Sequence, residues 1–125
     1  LSQVFAIAAG GASGALLRFW VSNGVYALLG RGFPFGTLVV NVMGSLVMGV
    51  LYVVLLERMT TGPDIRAALL IGLLGAFTTF STFSIETVLL IEQADLIKAV
   101  LNALVSVTAC VLAAWLGVVL GRLPS

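Results

Sequence analysis

The stretch Gly75-Ala76-Phe77-Thr78-Thr79-Phe80-Ser81-Thr82-Phe83-Ser84 interleaves five hydroxyls with aromatic rings. A packed core does not tolerate this easily, because every buried hydroxyl must find an acceptor. Phe80 and Phe83 are three residues apart, so they share a face wherever the segment is helical. Such a stripe usually packs. A phenyl ring, however, carries a positive edge as well as a negative face, and edges turned into a passage favour a small anion without trapping it. Phenyl edges beside hydroxyl donors are the chemistry of an anion path.

Three further polar features point the same way. Asn41 offers two N–H donors and shares a helical face with Ser45, four residues on. It serves either a passing anion or an interhelical hydrogen bond, the latter worth on the order of 0.6 kcal/mol. Arg18 is the only charged side chain between residues 1 and 29. It either snorkels to an interface or lines a watery vestibule, where a fixed positive charge concentrates anions and repels cations. Asn102, Ser106 and Cys110, spaced by four, form a polar track on one face of the last helix, equally consistent with a path lining and with a polar helix interface. Glu86 is the remaining carboxylate of interest, expected to reach a vestibule or lipid headgroups.

These residues sit in a chain built for a membrane. Of 125 residues 61% are hydrophobic and 9% charged, against about 25% charged in soluble domains, and the mean hydropathy is +1.22. A span needs roughly 20 apolar residues, so the length suits about four spans and no soluble catalytic domain. The absence of His, with Cys110 as the single cysteine, rules out zinc, haem and iron–sulfur chemistry. No nucleophile and base pair suggests an enzyme. With a net charge of +1 there is no polybasic patch, so nucleic acid is not an expected partner. Residues 1–17 carry no charged side chain, unlike a cleavable signal sequence, so the first apolar run is expected to stay as a helix.

Apolar runs and turn signals place the spans at about 2–29, 34–56, 64–91 and 96–120, forming one all-α transmembrane domain over residues 1–125. Gly30-Arg31-Gly32, Glu57-Arg58-Met59-Thr60-Thr61-Gly62 and Glu92-Gln93-Ala94-Asp95 separate them. The hydroxyl-rich block falls inside the third run. Ser and Thr can satisfy backbone groups freed by a break, so the third helix is expected to be broken within the membrane. Arg58, Arg66 and Arg122 fall on one side and Arg31 and Lys98 on the other. So small a bias suggests insertion in both orientations and hence an antiparallel homodimer, although a weakly biased chain can also insert one way. Gly10 and Gly14, Ser45 and Gly49, and Gly117 and Gly121 have the four-residue spacing that lets membrane helices approach closely.

Three segments together carry a resemblance: Gly10-Gly11-Ala12-Ser13-Gly14-Ala15-Leu16-Leu17-Arg18, Gly36-Thr37-Leu38-Val39-Val40-Asn41, and the block from Gly75 to Ser84. Over essentially its full length the chain resembles the small bacterial Fluc (CrcB) fluoride channels. The resemblance implies an antiparallel dual-topology dimer of four-helix subunits in the bacterial inner membrane. It also implies two fluoride pores and a structural sodium ion at the dimer centre, held by the backbone carbonyls of Gly75 and Thr78 from both subunits. By position, Phe80 and Phe83 correspond to the pore phenylalanines, Asn41 to the fluoride-contacting amide and Arg18 to the vestibule cation. Ser81, Thr82 and Ser106 would supply donors, while Asn102 and Cys110 fall where the family varies. Such a channel lets fluoride trapped in the cytoplasm leak out passively. The rival reading is a small proton-coupled multidrug transporter of similar size and topology, which needs a membrane-embedded carboxylate and would have only Glu86. A purely structural subunit would account for Asn41 or Ser106 singly, but not for the aromatic–hydroxyl block with an isolated Arg.

Overall fold

In the computed structural model, which describes residues 1–58 and 61–124, the chain is all-helical. The helices are α1 (Ser2–Leu29), α2 (Phe35–Arg58), α3 (63–77), α4 (Phe80–Glu92) and α5 (Leu96–Gly121). Four stretches are long and apolar enough to cross a membrane, with α3 and α4 together making the third, Pro63–Glu92. The chain is a multi-pass membrane protein. The observed ends lie within two residues of the expected ones, and Met59 and Thr60 of the expected second connection lie outside the described residues.

Local chemistry explains the boundaries. Gly30 closes α1 with φ of 80°, a left-handed conformation natural only to glycine, and its N–H donates to Tyr26 O at 2.8 Å. Pro34 precedes α2, and Pro63 opens α3, where a missing N–H costs nothing. Asp95 caps α5, its carboxylate accepting from the Lys98 N–H. Wider i→i+5 turns replace the α pattern at Val54–Arg58 and Ala67–Leu73.

The helices run up and down in sequence. At one end Ser2 Oγ donates to Asp64 at 3.1 Å, Arg58 Nη1 donates to the carbonyls of Gly121 and Leu123, and Arg122 pairs with Glu57 at 2.9 Å. At the other, Lys98 Nζ donates to Gly32 O at 2.9 Å. The sides counted from the sequence are therefore the two ends of the bundle: Arg58, Arg66 and Arg122 at one, Arg31 and Lys98 at the other.

Packing runs mainly between α2 and α5 and between α1 and α3. Both contacts use small residues as backbone seats. A Cβ on Gly49 would lie 2.8 Å from Val118 N, and one on Gly117 would lie 2.9 Å from Val50 N. Gly10 and Gly14 of α1 likewise lie against the α3 backbone around Ala68 and Leu73. The buried apolar set is small and includes Val40, Val53, Leu74, Phe77 and Ala99. Most large apolar side chains face outward, as they do where lipid tails replace a core.

Adding one methyl at the α2–α5 seat should be felt. Gly117→Ala is expected to lower stability in detergent by about 1–3 kcal/mol, the usual range for overpacking. Gly24→Ala, where nothing lies within 4 Å of the added carbon, should be neutral or stabilise by up to about 1 kcal/mol. Denaturant unfolding of both variants in one micelle system checks the pair.

Candidate functional site

Helical geometry stops at Phe77 and resumes at Phe80. Thr78 (φ −91°, ψ 159°) and Thr79 (φ −152°, ψ 121°) are extended, a conformation that β-branched residues adopt readily. Their hydroxyls fasten the two helix ends. Thr78 Oγ1 donates back to Leu74 O at 3.0 Å, and Thr79 Oγ1 accepts from the Thr82 N–H at 3.2 Å as the N-cap of α4.

Two residues from other helices hold the extended backbone and the end of α3 that precedes it. Asn41 meets the Thr79 peptide unit on both sides: the Thr79 N–H donates to Asn41 Oδ1 at 2.7 Å, and Asn41 Nδ2 donates to Thr79 O at 3.0 Å. Arg18 Nε donates to Ala76 O at 3.0 Å. Gly44, one turn below Asn41 on α2, leaves the space that Thr78 Cγ2 occupies. A side chain there would push the extended segment off α2.

The carbonyls of Gly75, Ala76, Phe77 and Thr78 all lose their i→i+4 donors across the extended residues, and Arg18 replaces the one at Ala76. Gly75 O would be served by the Thr79 N–H, which goes to Asn41; Thr78 O would be served by the Thr82 N–H, which goes to Thr79 Oγ1. Gly75 is exposed. Neutral oxygens freed in this way are hard ligands suited to an alkali cation.

A cavity of about 390 Å³ lies beside the extended residues, between α2, α4 and α5. It brings together Asn41, Phe80, Phe83 and Ser106 with Ser45 and Cys110. The Phe80 and Phe83 rings stand 5.4 Å apart, tilted by 47°, and Phe80 is 75% exposed at the cavity's edge. Asn41 retains its second Nδ2–H beyond the bond to Thr79. Ser81 and Thr82 do not line this cavity: Ser81 is exposed, and Thr82 Oγ1 accepts from Thr79 Oγ1 at 3.0 Å. Arg18 lines neither this cavity nor the second one, and spends its Nε on the backbone of Ala76.

Asn102, 2% exposed, sits behind the cavity wall, donating to Thr87 Oγ1 at 2.9 Å and accepting from Ser106 Oγ at 3.2 Å. Thr87 had no place in the sequence reading. Its signal was a hydroxyl one turn beyond Phe83, which donates to Phe83 O at 2.8 Å. Tyr26 was missed as well. It donates to Glu86 Oε2 at 2.9 Å, its ring seated against Gly36 and under the Arg31 guanidinium. Glu86 lines a second cavity, of about 320 Å³, near the end marked by Arg31 and Lys98.

A family model described as "CrcB-like protein, Camphor Resistance (CrcB)" matches residues 5–118. A protein of Methylococcus capsulatus named "Fluoride-specific ion channel FluC" is 58% identical over 96% of this chain, which spans 53% of that relative, about half its length. Proteins of the same name from Pseudoalteromonas translucida and Magnetococcus marinus are 52% and 51% identical over 89% and 97% of the chain, which spans 92% and 98% of them.

If Asn41 is the clamp on the extended segment, Asn41→Leu leaves a peptide N–H and C=O without partners and should cost on the order of 2–4 kcal/mol. Asn41→Asp keeps the acceptor for the Thr79 N–H and should cost less. Thermal unfolding, together with hydrogen exchange at the Thr79 amide, reads both effects.

Proposed function

The chain belongs to the CrcB family, and from that premise we propose that it is a fluoride-selective channel letting cytoplasmic fluoride leave passively across a bacterial inner membrane. The observation that carries the reading is the single cavity joining the Asn41 amide, the Phe80–Phe83 pair and Ser106 beside the extended Thr78–Thr79 backbone. Relatives named as fluoride channels support the choice of anion.

The extended residues are read as a break at mid-membrane depth. There the free Asn41 N–H and the phenyl edges replace part of fluoride's hydration. Fluoride is small and accepts hydrogen bonds strongly, so fixed donors at short range compensate its dehydration better than that of the larger chloride. Ser81 and Thr82 would act where the path continues past the cavity. Arg18 keeps its guanidinium charge beside the Ala76 carbonyl, which favours anions over cations near the break.

The working unit is an antiparallel homodimer with two pores. Phe80, largely exposed in the single chain, would be covered by the partner, as would much of the outward apolar surface. The Gly75 and Thr78 carbonyls would hold a sodium ion at the dimer centre. Their lost helical donors fit that role, and the bound ion would supply a fixed cross-link between unwound backbones. The protein has no catalytic cycle in this account. The rival proton-coupled transporter has only Glu86 to draw on, whose Oε2 accepts from Tyr26 while Oε1 is buried without a partner among the described residues.

Phe80→Ile and Phe83→Ile, each folded and dimeric in detergent, are expected to slow fluoride efflux from liposomes by about tenfold or more, the rate equivalent of roughly 1.4 kcal/mol of lost barrier stabilisation. Efflux equal to the parent's would remove the phenylalanines from the path. Exchanging sodium for a large organic cation throughout purification should weaken the dimer, read by sedimentation in detergent. A dimer indifferent to the cation would remove the ion from the account.

A further inference from the structure

The hydrogen bonds around Ser106 run in one direction. Its hydroxyl donates to Asn102 Oδ1 at 3.2 Å, Asn102 Nδ2 donates to Thr87 Oγ1 at 2.9 Å, and Thr87 Oγ1 donates to Phe83 O at 2.8 Å. With the Asn102 amide oriented so that Oδ1 faces Ser106 and Nδ2 faces Thr87, a carbonyl-type oxygen only accepts, so the Ser106 proton points at Asn102 and the Thr87 proton at Phe83 O. Ser106 therefore turns an oxygen lone pair, and not its proton, towards the cavity that it lines. A wall built this way repels an anion until the hydroxyl rotates.

Resting on the channel reading above, we infer that Asn102 is a positioning residue that holds the Ser106 proton in reserve and makes its release depend on the anion. Asn102 does not line the cavity and is 2% exposed, so it acts through Ser106. When an anion reaches Ser106, the proton swings from Asn102 Oδ1 to the anion, and the buried Oδ1 is left without its donor. That desolvated acceptor is a standing penalty on occupancy. At 3.2 Å the bond to Asn102 is long, so a strong acceptor can take the proton. Fluoride is such an acceptor; chloride, larger and weaker, recovers less than the bond it breaks.

The same penalty returns the proton to Asn102 once the ion moves on. Asn102 thus lowers occupancy at Ser106 and shortens the stay of the favoured halide, a cost levied on whichever ion takes the proton. Thr87 supports the arrangement by fixing the amide, since Asn102 Nδ2 bound to Thr87 Oγ1 leaves Oδ1, and not the amide nitrogen, facing Ser106.

The test is liposome efflux of fluoride and of chloride across a range of ion concentrations, for the parent, Asn102→Leu, Ser106→Ala and the double variant. A parent that conducts fluoride establishes the channel reading independently of the inference. With the reserve bond gone, Asn102→Leu is expected to lower half-saturating fluoride by about tenfold, the weight of one neutral hydrogen bond, to reduce maximal flux and to leave the fluoride-to-chloride ratio no narrower than the parent's. In the Ser106→Ala background the Asn102 substitution should change none of these. A merely structural Asn102 would reduce the amount of functional protein without moving half-saturation, or would act equally in both backgrounds; either result overturns the inference. Where Asn102→Leu does not fold, Thr87→Val loosens the same amide and must shift half-saturation in the same direction. An unshifted value there also overturns it.

Discussion

Backbone polar groups that leave a helix need new partners, and the extended Thr78–Thr79 segment finds them in side chains from other helices and in its own two hydroxyls. Asn41 takes both polar groups of the Thr79 peptide unit, Arg18 takes the Ala76 carbonyl, and the two threonine hydroxyls close the adjoining helix ends. The rest of the structure follows from keeping these partners in reach. α2 must lie against the segment, so Gly44 has no side chain where Thr78 packs; α1 must bring Arg18 alongside, so Gly10 and Gly14 seat it on the α3 backbone.

This arrangement gives the polar side chains double duties. Asn41 is both the clamp on Thr79 and a donor at the cavity, using different amide hydrogens for the two tasks. On the proposed channel reading, the anion path and the fold share atoms. Arg18 would show the same economy on that reading, capping the Ala76 carbonyl at the helix end while placing a positive charge near the extended residues. Glu86 stands apart, linked to Tyr26 near the end of the bundle that carries Arg31 and Lys98.

Hydropathy and turn signals together made the four spans legible, because the apolar runs are separated by short clusters of Gly, Pro and charged residues. The hydroxyl–aromatic block was legible as unusual, and Asn41, Phe80, Phe83 and Ser106, singled out from separate helices, do meet at one cavity. Their hydrogen-bond partners were not legible. Nothing in the spacing of Ser106 and Asn102 says which of them surrenders its proton, since that depends on Thr87 arriving from another helix to claim the amide nitrogen. Arg18 was expected at a vestibule, and its place beside Ala76 depends on how closely two glycines let α1 approach α3. Tyr26 escaped notice because an interfacial tyrosine is ordinary in a membrane sequence, and only the space left by Gly36 aims it at Glu86.

The most direct measurement is ion efflux from liposomes holding the purified parent protein, with fluoride and chloride followed by electrode in matched vesicles under a potassium shunt. The account predicts fast, shunt-dependent loss of fluoride with negligible loss of chloride. Equal loss of both halides, or retention of both by vesicles shown to contain folded dimer, would contradict it.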